Sequence, residues 1–74
     1  MSNALRCRKT AAGYGRQAVL SDDDAARRAY GELERLWSEM AALAERFDRA
    51  QDGEAKAQIY AKMAEVEALR RAVA

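Results

Sequence analysis

Between Ser21 and Ala50 the large apolar residues recur at helical spacing, and this periodicity limits the fold more than any other feature of the chain. In heptad letters, Ala26, Leu33, Met40 and Phe47 occupy a, while Ala29, Leu36, Leu43 and Ala50 occupy d. Tyr30, Trp37 and Ala44 occupy e. An apolar stripe three positions wide in seven belongs to a bundle helix, whereas a two-stranded coiled coil needs only the a and d seam. The remaining positions carry mostly Glu, Arg, Asp and small residues, so the opposite face is expected to be solvated.

The start of this helix is expected at Ser21. Its hydroxyl can cap the free N–H groups of the first turn, and Asp24 three residues later completes a capping-box pattern. Asp22, Asp23 and Asp24 also favour the positive end of the helix dipole. A divalent-metal cluster is the competing account of these three carboxylates, but adjacent acids on a helix fan out around the axis, so capping is preferred. Leu20, just before the cap, is placed to staple against Ala25.

After Ala50, the run Gln51-Asp52-Gly53 suits a break, with Gly53 in a left-handed cap and Asp52 capping the next helix. The phase of the pattern supports a turn there. Continuing the first register puts Ala57, Ala61, Ala64 and Ala68 on the a and d rows, whereas Ile59, Met63, Val66, Leu69 and Val73 gather on nearly the opposite side. A hairpin lets the two large-residue faces meet. The expected fold is therefore all-α, with a helix over 21–50, a turn at 51–53 and an antiparallel helix over 54–74. Opposite-charge pairs at i, i+4 are expected for Asp24–Arg28, Glu45–Arg49 and Glu67–Arg71.

Residues 1–20 are expected to form a flexible basic N-terminal arm. They show no sustained period, and Gly13 and Gly15 flank Tyr14 as in a loop. They hold Arg6, Arg8, Lys9 and Arg16 and no acid, so an arm of charge +4 precedes a body of charge −3 in a chain whose net charge is +1. A chain of 74 residues buries only a marginal core,. The first helix also overhangs the second, which leaves Ala26, Ala29 and Tyr30 for the arm or a second chain to cover. Pairing two hairpins into a four-helix bundle would close the stripes, so a homodimer is expected.

Chemistry is sparse in this sequence. It has no His, which removes the commonest general base and metal ligand,. It has no zinc-binding spacing, phosphate-binding glycine loop or nucleophile elbow. No enzyme activity, metal or cofactor is expected. Cys7, the only cysteine, lies between Arg6 and Arg8, whose charge would favour its thiolate and a redox or modification site, but a lone cysteine in such an arm is more often incidental, and that is the preferred reading,. A lone cysteine and the absence of an apolar leader or membrane span make a soluble, cytoplasmic protein the expectation.

The residues expected at a helix–helix interface are Tyr30, Leu33, Leu36, Trp37, Met40, Leu43 and Phe47 of the first helix, with Ile59, Met63, Val66 and Leu69 of the second. Residues 21–74, by their hairpin and glycine-containing turn, resemble the short helical-hairpin co-chaperones of type III secretion. That resemblance implies a compact hairpin shielding a partner's apolar helix. The expected function is a non-catalytic protein–protein interaction module that pairs with itself or another helical protein, as an adaptor, co-chaperone or assembly subunit. The alternative is a nucleic-acid-associated regulator in which Arg6, Arg8, Lys9 and Arg16 meet phosphates and Tyr14 stacks on a base. A non-catalytic subunit of a larger enzyme is a third assignment.

Overall fold

The computed structural model of the chain describes residues 3–73, and these form three helices joined by two short turns, with no strand among the described residues. Helix α1 runs Asn3–Leu20, α2 runs Asp24–Ala50 and α3 runs Gly53–Val73. The all-helical class is as expected, but the two-helix hairpin with a flexible arm is corrected to three helices. The expected end at Ala74, the Val73 side chain and residues 1–2 lie outside the described residues.

The arm is helical because its residues are mostly strong helix formers, and because one of its faces has something to bury. Ala4, Ala11 and Gly15 share that face at i, i+7 and i+11, with Ala4 and Ala11 buried. A Cβ added at Gly15 would meet the carboxylate of Glu34 on α2, the far end of an exposed side chain that can turn away, so Gly15 marks where α1 faces Glu34. Glycine in a helix interior costs about 1 kcal/mol relative to alanine.

The turns also differ in detail from expectation. Ser21 closes α1 instead of opening α2: its N–H and its hydroxyl both donate to the Gln17 carbonyl at 3.0 Å. Asp23 is the N-cap of α2, with an extended backbone and a carboxylate that accepts from the Ala26 N–H at 2.9 Å. Leu20 is largely exposed, so it forms no staple. At the second turn the left-handed residue is Gln51 (φ 51°, ψ 42°), and Gly53 already belongs to α3. Asp52 explains the shift. Its carboxylate accepts from the N–H groups of Glu54 and Ala55, which starts α3 at Gly53 and leaves Gln51 to reverse the chain,.

Both outer helices pack on α2 and not on each other. Three helices in a closed triangle, with axes about 9 Å apart and Cα atoms about 2.3 Å from each axis, would measure about 14 Å across in either direction. The Cα envelope here is 42 × 21 × 14 Å, wider than that in one direction. The molecule is an open trough with α2 as its floor. Leu33, Leu36, Met40 and Val66 form the buried cluster, and Cys7, Tyr14, Tyr30, Trp37, Ile59 and Leu69 pack around it.

Candidate partner-binding groove

The trough places an apolar groove between α1 and α3. Its floor is Trp37, Met40, Ala44 and Phe47 of α2, which are a and e positions of the sequence stripe. Cys7, with Asn3, Arg6 and Thr10, forms the α1 wall, and Ile59 and Met63 form the α3 wall. Asp48 also lines the groove, which has a volume of about 340 Å³. Lys56 lies 5.7 Å from the centre of the Phe47 ring, a cation over an aromatic,.

The expected interface residues divide by burial. Leu33, Leu36, Met40, Leu43 and Val66 are buried within the chain and hold the helices together. Trp37, Phe47, Ile59, Leu69 and Tyr30 are half-buried, and Met63 is 46% exposed. Trp37, Met40, Phe47, Ile59 and Met63 therefore converge on the groove, whereas Leu36, Leu43 and Leu69 do not line it. The indole N–H of Trp37 is buried with no hydrogen-bond partner among the described residues.

The basic set is dispersed. Tyr14 is half-buried and stacks on Tyr30, with ring centroids 6.3 Å apart and planes 23° from parallel. That stack covers the overhanging start of α2 and takes Tyr14 away from any role as a free base-stacking platform. Arg8 pairs with Glu45 of α2. Arg6, Lys9 and Arg16 remain exposed. The expected i, i+4 pairs are replaced by Asp24–Arg27 at 3.3 Å and Glu67–Arg70 at 3.6 Å, both i, i+3, while Glu45 turns to α1.

Electrostatics in the groove disfavour nucleophilic chemistry. Burial pushes the Cys7 thiol above its ordinary value, and the neighbouring Arg6 charge lowers it by less. The expected thiolate is thus corrected: partial burial in an apolar wall outweighs the adjacent cation. Two carboxylates elsewhere are shifted down. Asp52 is held below the usual carboxylate range by its hydrogen bond from Arg46, helped by the Ala55 N–H. Glu39 is lowered first by the hydrogen bond from Lys62, which ties α3 to α2 across 2.9 Å.

The α1 wall was not anticipated from the sequence. Ala4, Cys7, Ala11, Gly15 and Ala18 do repeat at three- and four-residue spacing, a helical period carried by small residues,. No family model matches this chain, and no curated protein or solved structure matches it. No helix among the described residues is long and apolar enough to cross a membrane.

Proposed function

We propose that this chain is a small non-catalytic helical association module, an adaptor or assembly subunit, whose groove receives a further helix. One observation carries the proposal: α1 and α3 flank α2 without meeting, and the gap between them is lined by Trp37, Phe47, Ile59 and Met63. An apolar trough between two helices is the setting in which an amphipathic helix docks through residues at i, i+3, i+4 and i+7. The low polarity of the groove and the protonated thiol favour burial of side chains over chemistry.

Trp37 is the only tryptophan and therefore reports on the groove without a label. Its emission is followed while the protein is concentrated from micromolar to millimolar, and again while a synthetic amphipathic helix with leucines at that spacing is added. The expected result is a blue shift in at least one of the two titrations, abolished by Met63→Glu. A chain that neither self-associates nor takes up the peptide, with emission unmoved in both titrations, would sink the proposal.

A further inference from the structure

We propose that the outer face of α1 is a peripheral docking surface for an anionic lipid bilayer. The face in question is turned away from α2, so the proposal does not rest on the groove.

At about 3.6 residues per turn, the buried Ala4 and Ala11 and the packed ring of Tyr14 define the side of α1 that meets α2,. Leu5, Lys9, Arg16 and Leu20 fall in one row on the opposite side, with Arg6 along one edge and Val19 along the other,. All six are exposed. Arg6, Lys9 and Arg16 span about 15 Å of helix axis, and none is in an ion pair among the described residues. No acid lies within α1. Of the acids in the turn that follows, Asp23 caps α2 and Asp24 pairs with Arg27, so Asp22 is the one without such a bond among the described residues.

Aliphatic side chains are interleaved with these cations. Val19 and Leu20 are 83% and 76% exposed, and with Leu5 they make up most of the exposed large hydrophobics among the described residues. Cations alone suit any polyanion, and the aliphatics choose among polyanions. A nucleic-acid backbone would engage Arg6, Lys9 and Arg16 but leave Leu5, Val19 and Leu20 in water. A protein partner needs about 800 Å² per side, whereas a helix of 18 residues presents an edge about 27 Å long and about 10 Å wide,. A bilayer accepts a narrow edge: the Lys and Arg heads reach the headgroup phosphates while their stems and the aliphatic side chains sink below. Anionic lipids attract each cation held near the surface. One such signal binds only marginally, and two together give reversible attachment.

The test is co-sedimentation of the full chain with phosphatidylcholine vesicles, with and without phosphatidylserine, over a series of salt concentrations. Circular dichroism checks that each variant keeps its helicity. Wild type is expected to pellet with the phosphatidylserine vesicles at low salt, to stay in solution with phosphatidylcholine alone, and to be released as salt rises. Each of Arg6→Gln, Lys9→Gln and Arg16→Gln is expected to weaken binding about fivefold, and R6Q/K9Q/R16Q about a hundredfold. The double variant V19S/L20S is expected to weaken it about tenfold. Arg71→Gln, on α3, is expected to stay within about twofold of wild type.

Wild type that ignores phosphatidylserine vesicles at low salt would overturn the proposal. So would V19S/L20S binding as tightly as wild type, or Arg71→Gln weakening binding as much as Lys9→Gln, since total charge and not the α1 face would then decide. Wild type that binds duplex DNA but no vesicle would overturn it in favour of a nucleic-acid backbone.

Discussion

Along its seam with α2, α1 presents Ala4, Ala11 and Gly15, whereas α3 presents Ala55 and Val66 beside a set of charged pegs. Small residues beneath α1 allow close approach, and Ala41 is buried on the same side of α2 as Glu34 and Glu45, which meet α1. The α3 seam is bound differently. Arg46–Asp52 at 2.7 Å closes the turn, and Lys62–Glu39 at 2.9 Å fixes the middle of the helix. α1 is held mainly by shape, with the Arg8–Glu45 ion pair beside it, and α3 by caps and two ion pairs. The two seams should therefore fail under different perturbations.

The largest effect is expected in the central cluster. Leu36 is buried at the centre of α2, and Leu36→Ala should cost about 2–5 kcal/mol in chemical denaturation,. An unchanged denaturation midpoint would mean that the central cluster is not what couples the helices. Next comes the shape-held seam. Ala11→Leu overfills it and should cost about 1–3 kcal/mol, with loss of Tyr14–Tyr30 ring contacts in NMR spectra,. If α1 accommodated leucine at no cost, close packing would not be what holds it.

Acid should separate the seams. Asp52 and Glu39 have depressed folded values, so as the pH falls the unfolded state takes up their protons first,. The stability they supply is complete above the unfolded carboxylate range and disappears as the pH drops through the folded values. The amide signals of α3 should broaden or shift in that window before those of α1. Simultaneous loss would contradict the division.

Two smaller effects complete the series. Gln51→Gly removes the cost of a side chain in a left-handed conformation and should raise stability by about 1 kcal/mol,. Ala57→Leu, on the exposed side of α3, should stay within about 0.5 kcal/mol of wild type,. Against Ala11→Leu, it shows whether position or residue type decides the penalty.

The same contrast explains what the sequence discloses. The stripe from Leu33 to Phe47 is legible because large apolar residues at helical spacing have few other uses, and Leu33, Leu36 and Met40 do fill the core. The turn at 51–53 is legible within two residues because Asp52 is a strong cap. Helix α1 is hidden because its period is written in Ala and Gly, which hydropathy barely registers. Gly13 and Gly15 also differ in place under one letter: Gly15 faces the Glu34 carboxylate of α2, whereas Gly13 has only its own helix's Arg16 nearby. For the groove, the floor could be read from the sequence and the α1 wall could not. A basic, acid-free segment suggests a solvated tail until its alanine face is given a surface to cover.

The absence of contact between α1 and α3 bears on how the chain assembles. Every helix packs only on its neighbour in sequence, so no long loop has to close before native contacts form. Such local topologies fold in microseconds to milliseconds. Either outer helix can also detach while the other stays docked, so amide hydrogens at the two ends of the chain would exchange through separate openings, and those of α2 through the rarer event that frees it from both.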